Sequence, residues 1–228
     1  MPASCVLVVG ESGSGKSTSI EKLDPKETFI INVSSKPLPF HGWKKKYSVL
    51  TKTNPQGNLL NTDSADAIVA TLKHISDNRP EIKYVIVDDS QYVAANEYMR
   101  RVKEIGFQKF TEIALNIFRL PKMCQELRDD LFVFFLSHAE TIATSEGDYK
   151  VKAKTLGKMI DNTITYEGMF SIVLFTERRE TKEGLDYGFV TNGDPRSTAK
   201  SPRGMFDKTF IPNDLKVVVD AIRKYEEG

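Results

Sequence analysis

A glycine-rich stretch near the start of the chain has residue types and spacing suited to binding phosphate. It matches the pattern G-x-x-x-x-G-K-[ST] at every fixed position, with the residues Gly10, Glu11, Ser12, Gly13, Ser14, Gly15, Lys16 and Ser17. Glycines allow tight turns in which backbone amides point at phosphate oxygens. Lys16 would place a positive charge at the β- and γ-phosphates, and Ser17 would offer its hydroxyl to Mg²⁺. The pattern predicts a nucleoside triphosphate site that also includes Thr18.

The residues on both sides of this loop predict the elements that hold it. Cys5 to Val9 form a continuous apolar run, which is typical of a strand buried in a parallel sheet. Residues 17–23 can form a helix, which Asp24 and Pro25 would end. The N-terminus of that helix would add a partial positive charge beside the phosphates. This strand–loop–helix context favours a nucleotide site over a chance glycine-rich turn.

Acidic and histidine side chains follow two further apolar runs. Residues 82–87 predict a buried strand that ends in Asp88 and Asp89, and residues 131–136 predict another that is followed by His138 and Glu140. Nucleotides bind outside the carboxyl ends of parallel strands, so these side chains are the next candidates for the site. Asp88 is predicted to bind Mg²⁺ together with Ser17.

The roles of the other strand-end residues stay open between function and structure. Asp89 could orient the attacking water as a general base, or it could cap a helix that starts at Ser90. Glu140 is a second candidate for the base. His138 could sense the γ-phosphate and pass that signal to the residues after it, although a single histidine is often structural.

Length and composition indicate one α/β domain over residues 1–228. The chain is 40% hydrophobic and 28% charged, a composition that suits a domain with a hydrophobic core. Its 228 residues are too few for two domains of typical size. The formal net charge is +1, so nucleic-acid binding would need a local basic patch. Cys5 and Cys124 are expected to be buried, reduced thiols. The sequence shows neither a signal peptide nor an apolar run of membrane-spanning length, so we expect a cytoplasmic protein without a membrane partner.

The remaining chain first alternates strands with helices and then changes to hairpins. Residues 28–33 predict a strand, residues 68–75 and 110–118 show the apolar spacing of helices, and Pro121 either kinks the second helix or begins a new one. Hairpins are predicted over residues 141–154 and 169–191, and a last helix begins after residues 212–214. This order predicts a mostly parallel central sheet, flanked by helices and extended by antiparallel hairpin strands.

Two lysine clusters are candidates for contacts with single-stranded nucleic acid. Basic residues among aromatic ones can bind single strands by charge and stacking, and the first cluster lies in an irregular stretch with Phe40, Trp43 and Tyr47. The structural alternatives are a surface loop that Trp43 holds to the body of the protein, and an ordinary solvated hairpin face. The clusters are Lys44, Lys45 and Lys46, and on the second arm of the first hairpin Lys150, Lys152 and Lys154.

The phosphate loop and the two strand ends together resemble the core of RecA-type ATPases. The matching pieces are residues 10–17, 85–90 and 136–138, and the hairpin-rich second half agrees with them. More narrowly, residues 31–33, 36–40, 199–206 and 211–215 are similar to small phage-encoded RecA-core ATPases, the nucleotide-binding proteins linked to single-strand annealing and recombination. The resemblance covers nearly the whole chain.

The resemblance implies a RecA-like P-loop NTPase that hydrolyses ATP to ADP with Mg²⁺ and acts with single-stranded DNA in phage recombination or replication. It also implies a homo-oligomer, either a ring or a filament, in which a basic residue of one subunit reaches the phosphates bound by the next. Lys154, Lys158 and Arg203 are the candidates for that residue. A phage single-strand-binding or recombination protein would be a further partner.

One position departs from the RecA-type pattern. Those enzymes usually carry a catalytic glutamate just beyond the second strand, where this chain has Ser34, Ser35 and Lys36. The general base therefore stays open between Asp89, Glu140 and Glu11. Slow hydrolysis in the absence of a partner would follow from such a gap.

Other functional classes also use a phosphate loop. A small-molecule phosphotransferase would need an acceptor pocket and an arginine-bearing lid, for which Arg178 and Arg179 in a predicted hairpin are the nearest candidates. A signalling GTPase is disfavoured because the chain has no [NT]-K-x-D sequence that would read guanine. An AAA-type helicase loader, or a nucleotide switch for a protein partner, would carry a helical lid where the residues after Phe175 predict strands.

Overall fold

The apolar runs that predict strands pair with one another into one sheet. The computed structural model describes residues 2–143, 148–157, 161, 164–193 and 196–228. Its strands are β1 (Ser4–Gly10), β2 (Thr28–Asn32), β3 (Leu59–Asn61), β4 (Tyr84–Asp88), β5 (Phe132–Ala143), β6 (Tyr149–Ala153), β7 (Ile172–Thr181), β8 (Gly184–Val190) and β9 (Phe210–Pro212). Their order is β3-β2-β4-β5-β1-β7-β8-β9, and β6 pairs with β5 outside this path.

The sheet changes from parallel to antiparallel at β7. Neighbouring strands from β3 to β7 along this order are parallel. The pairs β7–β8, β8–β9 and β5–β6 are antiparallel. The predicted fold class, a mostly parallel sheet extended by hairpin strands, is confirmed.

Helices cover both faces of this sheet. They are α1 (Trp43–Lys46), α2 (Ala65–Asn78), α3 (Tyr92–Arg100), α4 (Gln108–Met123) and α5 (Leu215–Glu227), with short 3₁₀ helices at Ser17–Ile20, Cys124–Glu126 and Tyr166–Met169. Side-chain caps start two of them: Ser64 Oγ accepts a hydrogen bond from the Ala67 amide, and an Asp214 oxygen accepts one from the Lys216 amide. The predicted α2 and the predicted last helix are therefore confirmed.

Alternation along the central strands divides the core into two layers. Leu7 and Val9 of β1 pack in one apolar cluster with α2, whereas Val6 and Val8 pack in the other with α5. Successive residues of a strand point to opposite faces, so a strand with helices on both faces needs a continuous apolar run. This explains why these strands read as uninterrupted apolar stretches.

The helix predicted over residues 17–23 is wrong in length. Only a 3₁₀ helix of four residues, Ser17–Ile20, follows the phosphate loop. Ile20 and Leu23 are fully buried against the sheet, and the Asp24 carboxylate accepts a hydrogen bond from the Lys26 amide at 2.9 Å. The chain therefore turns into β2 before a second helical turn forms. A full helix dipole is not available to the loop, so its amides and Lys16 must supply the positive potential.

Several other boundaries differ from the predicted ones. Pro121 lies in the last turn of α4 rather than starting a new helix. The strands β3 and β9 have three residues each, which is too short to give an apolar pattern. The predicted hairpin arms around residue 146 do pair, with Ala143 opposite Tyr149, but the predicted tip at 146–148 lies mostly outside the described residues.

Two further predictions concern the cysteines and the membrane. Cys124 is a buried free thiol, whereas Cys5 is only partly buried, and burial raises the pKa of the Cys5 thiol. Within the described ranges, every helix is too short or too polar to cross a membrane.

Candidate nucleotide-binding site

The sheet order brings the strand ends chosen from the sequence to one edge. Strand β5 lies between β1 and β4, so Gly10 at the end of β1 is opposite His138 of β5. One strand further on, Asn32 of β2 is opposite Asp88 of β4. Because parallel strands end on the same side of the sheet, the loop, His138 and the two aspartates meet there.

A cleft of about 670 Å³, which we call the first cleft, opens at this edge. Its position over the phosphate loop and beside the aspartates is that expected for a nucleotide. Of the predicted nucleotide-binding residues, Ser12, Gly13, Gly15, Lys16, Ser17 and Thr18 line it. The other lining residues are Lys22, Lys36, Pro37, Pro39, Asp88, Asp89, His138, Tyr187, Pro212 and Asn213.

Two glycines of the loop, Gly10 and Gly15, are in close contact with distant elements. A Cβ on Gly10 would lie 1.6 Å from Thr176 Oγ1 of β7, so only glycine fits there. Gly15 has φ +97°, and its Cβ would lie 2.9 Å from Asn213 Nδ2, just before α5. The hydroxyls of Ser14 and Thr176 are hydrogen-bonded at 2.6 Å. The loop is thus packed against β7 and against Asn213, which precedes α5, as well as against its own strand.

Lys16 is folded onto the loop. Its ammonium donates hydrogen bonds to the carbonyl oxygens of Gly10, at 2.9 Å, and of Glu11, at 2.7 Å. The residue is only 6% exposed, and this burial lowers the pKa of its ammonium. Lys16 therefore does not face solvent in the absence of phosphate. A phosphate would have to share or replace the carbonyl partners of Lys16.

Ser17 and Asp88 contact one another, as a shared role at a metal ion requires. Ser17 Oγ donates a hydrogen bond to Asp88 Oδ1 at 2.8 Å. Asp88 is buried, and that burial together with the neighbouring Asp89 raises the pKa of its carboxyl to about 6. A nearby cation would favour the ionised carboxylate. A hydroxyl and a carboxylate that face the phosphate loop fit Mg²⁺, which takes oxygen ligands and usually few from the protein.

Asp89 is held by contacts from two other strand ends. Lys36 Nζ lies 3.2 Å from Asp89 Oδ2, and His138 Nε2 lies 3.3 Å from Asp89 Oδ1. Burial alone would raise the pKa of Asp89, but hydrogen bonds from His138, Ser34 and Lys36 outweigh it and hold that pKa well below its usual range. Asp89 is therefore an ionised carboxylate at the edge of the first cleft.

His138 connects this wall of the first cleft to the β5–β6 hairpin. Its ring packs edge-on against Tyr92 of α3, with the ring centres 6.0 Å apart. Its amide donates to Gln91 Oε1 at 3.2 Å, and its carbonyl accepts a hydrogen bond from the Lys154 amide at 2.8 Å. A shift of His138 would thus be felt directly at the end of β6.

A second cleft, of about 790 Å³, lies on the other side of the phosphate loop. The loop residues Gly10, Glu11 and Ser14 line it, whereas other residues of the same loop line the first cleft. Most of its other walls come from the β5–β6 and β7–β8 hairpins. Among the residues that line it are Tyr149, Thr176, Glu177, Arg178, Arg179 and Arg196.

The remaining predicted catalytic residues lie away from the first cleft. Glu140 pairs with Lys152, at 3.1 Å, and is not among the lining residues of either cleft. Glu11 lines the second cleft. Arg203 is exposed and lines neither cleft of its own chain.

The two lysine clusters have different surroundings. Lys44, Lys45 and Lys46 are exposed on α1, while the neighbouring Trp43 packs against the core. On β6, Lys152 is paired with Glu140 and, at 2.6 Å, with Asp161, so it is not a free charge. Lys150 is partly buried and Lys154 is exposed. Lys158 lies outside the described residues.

Sequence reasoning missed several residues of the first cleft. Lys36 follows the end of β2, so the rule that selected Asp88 and His138 could also have selected it. Tyr187 and Asn213 had no such signal, because β8, which contains Tyr187, and β9, which precedes Asn213, reach the cleft only through antiparallel pairing. The Nδ2 atom of Asn213 is buried and, among the described residues, has no hydrogen-bond partner.

Comparisons with known proteins bear on the fold. No protein-family model and no curated protein sequence matches the chain. Among solved structures, it is similar to a KaiC-like protein from the hyperthermophilic archaeon Pyrococcus horikoshii OT3, with 12% identity and a TM-score of 0.50. The match covers 87% of this chain and 82% of that one. At this identity the likeness shows the fold alone: the chain shares with that protein a mostly parallel, RecA-like sheet fold.

Proposed function

We propose that the chain binds ATP with Mg²⁺ in the first cleft and hydrolyses it. The observation that carries this proposal is the 2.8 Å hydrogen bond between Ser17 of the phosphate loop and the buried Asp88. It joins a phosphate-binding loop to a carboxylate from a strand that is not its neighbour. A glycine-rich turn without a nucleotide-binding role would not be expected to contact a buried acid in this way.

The residues of the first cleft divide the work of phosphate transfer to water. The loop amides and Lys16 would bind the β- and γ-phosphates, and Ser17 with Asp88 would hold Mg²⁺. The metal, when bound, neutralises negative charge on the phosphates. Phosphoryl transfer requires mainly positioning and charge stabilisation, so a rigid, partly buried cleft suits it.

Asp89 is the best supported of the three candidates for orienting the attacking water. It lines the first cleft, whereas Glu11 faces the second cleft and Glu140 is paired with Lys152. Its low pKa makes it a weak proton acceptor but keeps it ionised. We therefore assign Asp89 the orientation of water by hydrogen bonding rather than full proton abstraction.

Calorimetric ATP binding and phosphate release test this proposal. The Asp88→Asn variant should keep ATP affinity within a few fold, because the loop is intact, while its turnover falls by about 10- to 100-fold. Chelation of Mg²⁺ should abolish turnover of the unchanged protein. Lys73→Ala, an exposed substitution on α2, is the matched control. Failure of the unchanged protein to bind ATP at millimolar concentration would overturn the proposal, and transfer of phosphate to a small molecule would favour a phosphotransferase.

The finer part of the proposal is that single-stranded DNA binds in the second cleft and stimulates turnover, in the phage recombination or replication role that the sequence resemblance implies. Tyr149 offers a ring for stacking, and the exposed Arg178 makes no ion pair within the described part of the chain. The phosphate loop lines the two clefts with different residues, so the loop and the Ser14–Thr176 hydrogen bond would couple DNA to ATP. Measurement of ATP turnover with and without single-stranded DNA decides this part.

We also propose that the chain forms a ring or filament, because the sequence resemblance to RecA-type ATPases implies a homo-oligomer. Lys154 and Arg203 are exposed and lie outside the first cleft of their own chain, as a residue that acts on a neighbouring subunit would. A second subunit would then complete the site. Light scattering with and without ATP measures this, and a monomer in both conditions contradicts it.

A further inference from the structure

Backbone strain marks the two strand ends that carry Lys36 and Asp89. Among the described residues, Ser35 and Asp89 are the non-glycine residues with a left-handed backbone, at φ 54° and φ 60°. This conformation is unfavourable for residues with a Cβ and is often retained at functional sites. The two residues follow β2 and β4, which are paired neighbours in the sheet. The strain therefore coincides with one contact, the ion pair between Lys36 and Asp89.

Lys36 lines the first cleft and is anchored at its backbone. Asn32 Nδ2 donates a hydrogen bond to the Lys36 carbonyl at 2.7 Å, which fixes the point where its side chain begins. Its ammonium lies 3.2 Å from Asp89 Oδ2 and 5.3 Å from the centre of the Tyr92 ring. Lys36 and Lys16 thus bring two cations to one cleft, from different strand ends.

The contacts of Asp89 leave it little capacity to orient a water. Lys36 contacts Oδ2, His138 contacts Oδ1, and the Ser34 side chain also donates a hydrogen bond to this carboxylate. All three are hydrogen-bond donors, as an attacking water also would be, and an ionised carboxylate has about four acceptor sites. About one acceptor site of Asp89 is left, and the departure of one donor would open a second site for that water.

The Lys36–Asp89 pair is built so that it can be exchanged. The Lys36 side chain is 62% exposed, and exposed ion pairs are weak because water screens them. The lysine stem is flexible, so its ammonium can move while the backbone stays fixed. A γ-phosphate carries more negative charge than one carboxylate and would compete for Lys36, whereas a nucleoside diphosphate has no such group.

We infer that Lys36 senses the γ-phosphate: it pairs with Asp89 when the first cleft is empty or holds a diphosphate, and moves to the γ-phosphate when a triphosphate binds. Its departure frees Asp89 Oδ2 to accept a hydrogen bond from the attacking water. The cleft then completes its water-orienting group only around a nucleotide that can be hydrolysed. This inference rests on the proposed function, because it requires a nucleotide in the first cleft.

The test compares affinities for a non-hydrolysable ATP analogue and for ADP, both with Mg²⁺, by calorimetry. Lys36→Ala should weaken binding of the analogue by about tenfold. The variant loses one charge-assisted hydrogen bond to the γ-phosphate, but it no longer has to break the weak Lys36–Asp89 ion pair. Its affinity for ADP should change by less than about twofold. Lys36→Gln keeps roughly the length of the side chain and loses its charge, so it should change both affinities as Lys36→Ala does. It replaces the alanine variant if that variant folds poorly. Lys73→Ala should change neither affinity.

A second measurement examines the competition with Asp89. Asp89→Asn should raise the preference for the analogue over ADP, because Lys36 no longer has an acidic partner to leave. That rise should be smaller in the Lys36→Ala background, because there only the repulsion between Asp89 and the phosphate is removed. An equal rise in both backgrounds would show that Lys36 and Asp89 do not exchange, and would overturn the inference.

The outcomes separate this inference from the proposed function. If the unchanged protein binds both nucleotides and Lys36→Ala weakens both equally, or neither, Lys36 has only a structural role and the inference fails alone. If the unchanged protein binds neither nucleotide, the proposed function fails and the inference fails with it.

Discussion

The first and second clefts share the phosphate loop but are assembled differently. The first is made largely by residues that follow parallel strands, which bring together positions as distant as Ser17 and Asp88. The second is walled mainly by antiparallel hairpins, whose residues lie close in sequence, and two neighbours on β7, Arg179 and Glu177, form an ion pair at 2.9 Å. Converging strand ends bring charged groups from distant parts of the chain into one space, whereas a hairpin brings together residues that are close in sequence.

This difference explains why the sequence indicated the first cleft better than the second. The sequence shows where each buried apolar strand ends, and a parallel sheet places the carboxyl ends of its strands on one edge. A run of alternating lysines says only which face they share. Whether each lysine is free depends on the opposite arm and on later residues, as Lys152 shows by pairing with Glu140 and Asp161.

The largest expected effect is that of Lys16→Ala on the first cleft. The ammonium would contact two phosphates, so its loss should weaken ATP binding by about 100-fold or more. Calorimetry at several ATP concentrations measures this. The clefts are distinct only if binding of single-stranded DNA without nucleotide is retained; ATP affinity equal to that of the unchanged protein would contradict the assignment of the loop.

The next largest effect separates two carboxylates, Asp89 in the first cleft and Glu140 on the β5–β6 hairpin. Asp89→Asn should reduce ATP turnover by about tenfold or more, because the water loses its orienting group. Glu140→Gln should leave turnover within about twofold, since Glu140 pairs with Lys152 and does not line the first cleft. Steady-state phosphate release measures both. A larger loss with Glu140→Gln would mean that the hairpin supplies a catalytic residue.

The buried acid of the first cleft should also affect stability. The pKa of Asp88 is raised to about 6 by burial and by Asp89, so the folded protein holds a proton that the unfolded chain releases near pH 4. The ionised carboxylate therefore destabilises the nucleotide-free protein above about pH 6, by up to about 3 kcal/mol, and this cost disappears below about pH 4.

Asp88→Asn should accordingly raise the unfolding temperature of the nucleotide-free protein at pH 7.5 and leave it unchanged at pH 4 or below. Scanning calorimetry at the two pH values measures the difference. Addition of Mg²⁺ and ATP should reduce the advantage of the variant, because a bound cation favours the ionised aspartate. A variant that is less stable at both pH values would show that the carboxylate is satisfied without a cation.

The smallest expected effect concerns the second cleft. If single-stranded DNA lies there, Arg178→Ala should reduce the magnitude of the log–log salt slope of binding by about 0.7, the value for one phosphate contact. Lys152→Ala should leave that slope unchanged, because Lys152 already has two acidic partners. Binding titrations at several salt concentrations measure both. The reverse result would place the DNA on the hairpin face, and a loss confined to Lys44, Lys45 and Lys46 variants would move it to α1.

The sequence alone determined the phosphate loop, the buried strands on which it depends and the strand-end positions of Asp88, Asp89 and His138. These features are local: glycine spacing sets the turn, and a strand covered on both faces must be apolar throughout. Tertiary structure decided the rest. The shortened helix after Ser17 follows from the burial of Ile20 and Leu23.

The partners within the site were likewise set by tertiary structure. Lys36 meets Asp89 because β2 is placed beside β4, and Thr176 meets Ser14 because β7 is placed beside β1. Strand order and register depend on the packing of the whole core, so no local pattern encodes them. The phosphate-binding chemistry of the loop can therefore be predicted from the sequence, whereas the contacts that would control it form only in the folded sheet.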